Sequence, residues 1–207
     1  RALERGAQGV RVGTASGWPP KRFDAVDVAT HADQALRLLD APGAEERRLL
    51  GAFGYSRNLA VLHTDTRLMP RRQRVWSSWN YLGSRGATDS LCVSYWMNRL
   101  QPLPPTTPLI PTLNRPRDPA AGRVLHAQTY AHPMFDAAAL RAQSSLWSLQ
   151  GRRRTWFCGA YFGSGFHEDG LRPGLAAAEA PGAVRRPGNV AGEPARIALP
   201  GTRVQTP

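Results

Sequence analysis

The stretch TWFCGAYFGSGFHEDGLRPGLAAAE, Thr155 to Glu179, is the most specific run in the chain. Its apolar, aromatic start (Thr155–Tyr161) reads as a strand. It breaks into Gly163-Ser164-Gly165, then into His167-Glu168-Asp169-Gly170, then into an alanine-rich run of helix-forming composition. Strand, glycine loop and helix start together bring backbone N–H groups up to a ligand. This end of the chain therefore reads as an αβ piece.

A matching piece lies far upstream. Gly9–Gly13 is a short strand, and Phe23–Thr30 is a second, with the turn-rich Ser16–Pro20 between them. Ala32–Leu39 reads as a helix that ends before Pro42-Gly43. Ala44–Gly51 reads as another, with Glu45-Glu46 in its first turn and Arg47-Arg48 further on. The middle changes character. Asn58–Thr64, Val75–Tyr81 and Leu91–Met97 are β-branched and aromatic with turns between them, as strands of an antiparallel sheet are. Pro102, Pro104, Pro105, Pro108 and Pro111 mark a long loop, Val124–Tyr130 is a further strand, and Ala137–Gln150 a helix. From Pro181 on, five prolines and four glycines in 27 residues cannot bury a core, so 181–207 reads as a disordered tail.

The expected fold class is therefore α/β (α+β). Two sequence-distant pieces, 1–52 and 137–180, form one α/β domain, and 53–136 forms a second, β-rich domain.

Composition sets outer limits. At 207 residues, one or two domains with a real core fit. Lys plus Arg number 27 against 15 Asp plus Glu, a net charge of +12, but Lys21 is the single lysine. That arginine bias, with many Ala, Gly and Pro, more often reflects a GC-rich genome than a function, although a basic excess can also mean an anionic partner. No run of 18 apolar residues predicts a membrane span, and the N-terminus has no apolar signal core. Cys92 and Cys158 are too few for a disulfide framework and read as buried thiols of a reducing cytoplasm. The chain starts without Met and reads as a piece that begins inside a domain.

Several residues invite chemistry. The Gly159–Gly170 loop suits a phosphate or the pyrimidine edge of a flavin, or else is a plain turn with Glu168 and Asp169 capping a helix. It has neither P-loop nor GxGxxG spacing. His167, Glu168 and Asp169 are adjacent and do not converge easily on a metal ion. Trp76, Trp79, Tyr81 and Tyr95 are candidate walls of a substrate pocket, with sheet packing as the alternative. His63, His126 and His132 have no partner of the kind a nucleophile needs. The runs Arg71–Arg74 and Arg152–Arg154 read as solvated links, with nucleic-acid contact the weaker reading.

In order along the chain, FDAVDVATHADQALRLL (23–39), AVLHTDTRLMPRR (60–72), WSSWNY (76–81), SYWMNRLQ (94–101), TLN (112–114), YAHPMF (130–135) and TWFCGAYFGSGFHEDGL (155–171) carry a resemblance. The chain resembles the C-terminal half of flavin-containing amine-oxidase-type oxidoreductases. Within them it is similar to the bacterial predicted NAD/FAD-binding group and to the oxidase-like extension of plant cyclopropane fatty acid synthases. The resemblance implies a partial Rossmann-like FAD domain built from discontinuous segments and an antiparallel substrate domain. It implies FAD against Gly159, Gly165, Asp169, Gly170 and Leu171, with Thr30-His31 delivered towards the cofactor by a strand. It implies a small-molecule or lipid-linked substrate.

The departures from the family have consequences too. The GxGxxG βαβ unit is absent, so a missing dinucleotide-binding half is an expected partner and the chain alone is expected to bind FAD weakly or not at all. Ala160 stands where many amine oxidases carry an acid. Asp27 stands where a strand wants an apolar residue, and burying it unpaired would cost a few kcal/mol. Pro173 falls in the expected first helical turn, where proline is tolerated.

Overall fold

A computed structural model describes residues 3–14, 19–83, 92–104, 106–180 and 182. The chain divides into two compact units. Arg1–Tyr55 and Pro133–Pro207 form the first, and Ser56–His132 the second. Together they make an α+β fold. The expected tail falls almost wholly outside the described residues.

The first unit opens with an antiparallel meander of β1 (Leu3–Gly6), β2 (Gly9–Val12) and β3 (Lys21–Phe23). The strand expected over Phe23–Thr30 is instead two short ones, because the chain leaves the meander at Asp24 and starts again as β4 (Val26–Val28). β4 lies parallel to β10 (Thr155–Phe157), with Asp27 opposite Trp156. Asp27 is exposed, so the expected cost of burying it does not arise. The two sequence-distant pieces thus meet strand to strand. The outer edge of β10 is closed by Gln150, whose amide accepts from Phe157 N–H at 2.7 Å and donates to its C=O at 2.6 Å.

Around this ladder pack α1 (Ala32–Leu38), α2 (Ala44–Leu50), α4 (Ala137–Gln143) and α5 (His167–Glu179). Val10, Val28, Ala35, Leu49, Leu146 and Phe157 share one buried core. The helix expected to run to Gln150 stops at Gln143 and resumes as a 3-10 turn over Leu146–Leu149. α5 starts at His167, so Pro173 is interior and buried rather than in the first turn. β1 has no counterpart among the strands expected from the sequence.

The basic run Arg152–Arg154 is exposed, as expected of a solvated link, but two of its arginines also bond across the unit. Arg153 donates to the carbonyls of Ala41 (2.6 Å) and Arg5 (3.1 Å), and Arg154 to those of Ala7 and Asp24. Beneath it, Arg5 and Glu46 form a buried ion pair with contacts of 2.5 and 2.9 Å. The arginines clamp the β1–β2 hairpin to the rest of the unit.

The second unit is built on an antiparallel sheet of order β6-β7-β8-β5-β9: β5 (Gly54–His63), β6 (Trp79–Leu82), β7 (Cys92–Tyr95), β8 (Ile110–Leu113) and β9 (Val124–Met134). A short α3 (Met97–Leu100) follows β7. The expected strand over Val75–Tyr81 begins only at Trp79, since Gln73–Val75 closes as a 3-10 turn. The expected proline loop gives way to β8. Pro111 is accommodated because β7 pairs only with Thr112 and Leu113, so its missing N–H breaks no bond of that ladder.

Candidate functional site

In open α/β arrangements ligands lie outside the carboxyl ends of parallel strands. Here β4 ends at Val28 and β10 at Phe157, side by side, and Cys158 N–H extends the ladder to Val28 C=O at 3.1 Å. The segments that leave these ends are Thr30-His31 and Gly159-Ala160. They touch: a side chain at Gly159 would place its Cβ 3.1 Å from Thr30 O and 2.7 Å from a Tyr161 ring carbon. Gly159 has φ 151°, a conformation reserved in practice for glycine. Two of the predicted groups, Thr30-His31 and Gly159, are therefore brought together by the fold.

Tyr55, which sequence reasoning missed, completes this corner. Its hydroxyl accepts from Ala32 N–H at 2.8 Å, capping α1, and its ring stacks on His31 at 4.5 Å. Burial, aided by the charge of Asp33 and opposed by the Ala32 N–H, pushes its hydroxyl up to about 12. Beside Gly159, Tyr161 is packed edge-on to Phe53, and its hydroxyl is buried with no hydrogen-bond partner among the described residues. Burial, then nearby Cys158 and Tyr55, hold that hydroxyl well above its ordinary range. Burial, then nearby Asp27, likewise raises the Cys158 thiol, which disfavours the nucleophilic thiolate.

The glycine loop has a definite construction. Asp169 Oδ2 accepts from Ser164 N–H and Phe166 N–H, both at 3.0 Å. Gly163 lies so close that a Cβ there would come within 2.4 Å of the carboxylate. Gly165 packs against Phe135 and Pro133. Asp169 and Gly165 thus shape the loop from inside. Gly170 packs on Ala160 at the start of α5, and Leu171 is 55% exposed. His167 and Glu168 point to solvent, Glu168 paired with Arg172. Among the described residues no group of three His, Cys, Asp or Glu is placed to hold a metal.

For a flavin, the fit is that of one wall. Gly159-Ala160 and Thr30-His31 bring backbone together at the strand ends, and Gly170 packs on Ala160 beside them. The loop offers no charged side chain towards a phosphate, because its one buried carboxylate is committed to Ser164 and Phe166.

In the second unit the predicted aromatic wall divides. Trp79 and Tyr95 are cross-strand partners with rings 6.0 Å apart, and Tyr81 shares their face. Trp79 and Tyr81 are 52% and 57% exposed. Trp76 is elsewhere: it packs edge-on against Trp96 at 5.3 Å and donates its indole N–H to Pro70 O. The opposite face of the sheet holds a buried polar chain with one direction. Asp65 N–H donates to His63 Nδ1 (3.1 Å), which puts the ring proton on Nε2. His63 Nε2 then donates to Thr112 (2.8 Å), Thr112 to Ser94 (2.8 Å), and Ser94 to Leu68 C=O (2.8 Å). Burial lowers the His63 pKa, aided by Arg115 and opposed by Asp65. His63 is thus a satisfied core residue.

A cleft of about 490 Å³ beside the β1–β2 hairpin is lined by Arg5, Arg11, Arg22 and Arg153. Arg5 and Arg11 are paired with Glu46 and Glu4, and Arg22 is held by Gln8. No helix among the described residues is long and apolar enough to cross a membrane.

No protein-family model matches the chain, and no curated protein matches its sequence. Its fold is similar to that of the CLA-producing fatty acid isomerase from P. acnes in its crystal structure, with a TM-score of 0.53 at 15% identity. The similarity covers 83% of this chain and 44% of the isomerase, so the chain spans less than half the length of that neighbour.

Proposed function

We propose that this chain is the C-terminal part of an FAD-dependent oxidoreductase of the amine-oxidase type, acting on a lipid-linked substrate. The observation that carries the reading is the meeting of Thr30-His31 and Gly159-Ala160 at the carboxyl ends of adjacent parallel strands. Bound there, FAD would supply a two-electron acceptor. Within the chain, Gly159 lets the β10 exit approach Thr30, Tyr55 holds the start of α1, and Asp169 keeps the loop before α5 closed. Leu171 and Gly170 offer the surface on which a ring would rest. The nucleotide grip belongs to a GxGxxG unit supplied by another segment or another chain. The lipid part of the proposal draws on the likeness to a fatty acid isomerase, together with the resemblance to the oxidase-like extension of plant cyclopropane fatty acid synthases named above.

The basic surface lends little to the competing nucleic-acid reading, since Arg153 and Arg154 are committed to backbone carbonyls. The test is expression of the chain together with the coding sequence that adjoins it, followed by FAD titration of the purified protein. Flavin retained by that protein, and weakened by Gly159→Ala, is the expected outcome. Purification without flavin absorbance, and without FAD uptake on titration, would overturn the proposal.

A further inference from the structure

The second unit contains a pocket of about 210 Å³ between the end of β7 and the segment that follows α3. Trp76, Trp96, Leu103 and Pro108 supply most of its wall, with Asn98 and Gln73. Thr66 lies on the wall as well, and two of the polar side chains, Asn98 and Trp76, are committed elsewhere. The Asn98 amide donates to the carbonyls of Pro104 (2.8 Å) and Thr107 (2.9 Å), and its oxygen accepts from Leu109 N–H at 2.8 Å. The Trp76 indole N–H is bonded to Pro70 O at 2.7 Å. Two indole rings set edge to face thus present carbon to the space between them. An apolar cavity of ~150 Å³ is already large enough to admit benzene. The pocket has that capacity, and no cationic side chain lines it to receive a carboxylate.

We infer that this pocket is a subsite for the methyl end of a hydrocarbon chain, the tail of an amphiphile whose polar head stays outside. The inference deepens the lipid-linked substrate proposed above and rests on that reading for its biological setting, but the binding itself requires no flavin. An alkyl tail is preferred because Trp76, Trp96, Leu103 and Pro108 offer it carbon surface, while Asn98 and Trp76 have no donor left for a polar ligand. Each methylene brought out of water contributes about 0.8 kcal/mol, which is about a fourfold gain in affinity.

The experiment is saturation-transfer NMR on the chain with straight-chain alkanoates of increasing length, and with the α,ω-diacid suberate beside octanoate. The expected result is strongest saturation at the ω-methyl, affinity rising about fourfold per added methylene until the pocket is full, and no binding of suberate. Leu103→Asp should reduce octanoate affinity at least tenfold. Gln73→Glu, on an exposed residue and so safe for folding, should reduce it several-fold. Equal affinity at all chain lengths, suberate binding as well as octanoate, or indifference to both variants would overturn the inference. Alkanoate binding by the chain, with no FAD uptake by the protein expressed with its adjoining coding sequence, would sink the flavin proposal and leave the subsite standing. FAD uptake without any chain-length dependence would do the reverse.

Discussion

Gly159→Ala is the sharpest perturbation of the candidate site. The residue has φ 151° and ψ 167°, a region that costs a non-glycine residue about 1–3 kcal/mol. The added methyl would also lie 2.7 and 3.0 Å from two Tyr161 ring carbons and 3.1 Å from Thr30 O. Tyr161 is buried against Phe53 and Phe162 and has little room to yield, so overpacking adds about 1–3 kcal/mol. The expected loss is roughly 2–6 kcal/mol, a large part of the ~5–15 kcal/mol that holds a domain together. Gly174→Ala is the internal control. Gly174 lies inside α5 with nothing within 4 Å of an added Cβ, so alanine should stabilise by up to about 1 kcal/mol. Urea unfolding followed by far-ultraviolet circular dichroism reads both. A loss under about 1 kcal/mol at Gly159 would mean that the β10 exit is not held against Thr30, and the site argument would fall with it.

Other parts of the molecule yield further tests. Glu46→Ala leaves the fully buried Arg5 guanidinium without its counter-charge and removes the acceptor for Gly43 N–H, for an expected loss of about 3–5 kcal/mol. The apolar pair Arg5→Met with Glu46→Leu should recover most of that loss in the same denaturation assay. At Glu46 itself, burial raises the pKa, but Arg5, the Gly43 N–H and Arg153 together pull it below its ordinary value. Its contribution should therefore be full above about pH 4.5 and fade as the pH falls through the lowered value, which unfolding midpoints between pH 6 and 3 would reveal. For His63, whose pKa is lowered chiefly by burial, the unfolded chain takes the proton first. Second-unit stability, followed by tryptophan fluorescence, should decline as the pH falls below about 6.5, and His63→Gln should flatten that dependence. Tyr161→Phe removes a buried hydroxyl that has no partner among the described residues, so it should stabilise the protein by about 1 kcal/mol. A marked destabilisation would show that the hydroxyl makes a bond.

Much of the organisation is legible in the sequence. Helices α1 and α2 carry their own stop signals, Pro42-Gly43 and Gly51, and end within a few residues of where those signals put them. The change from αβ character to β-branched and aromatic runs announces the antiparallel sheet of the second unit. Other features are hidden for identifiable reasons. Proline argues against strand, yet Pro111 sits in β8 because only a neighbouring strand decides whether its N–H is needed. Trp76, Trp79, Tyr81 and Tyr95 form one cluster by proximity in sequence. Trp79 and Tyr95 face each other across β6 and β7, whereas Trp76 and Trp96 lie just outside those strands and pair with each other. What separates them is where each strand starts and stops, which the sequence places only to within a few residues. Arg152–Arg154 cannot be told from a solvated run by sequence, because its acceptors are carbonyls some 110–150 residues away.

The sequence alone determined what depends on near neighbours: helix starts and stops, the glycine loop before α5, the alternation of the sheet strands, and the absence of a GxGxxG unit. Tertiary structure alone decided what depends on distant partners. It joined β4 to β10, set Tyr55 as the cap of α1, turned Asp169 inward to Ser164 and Phe166, and paired Trp76 with Trp96. The physical reason is that backbone propensity and patterning act over a few residues. A hydrogen bond or an aromatic contact depends instead on which segments the buried core brings together.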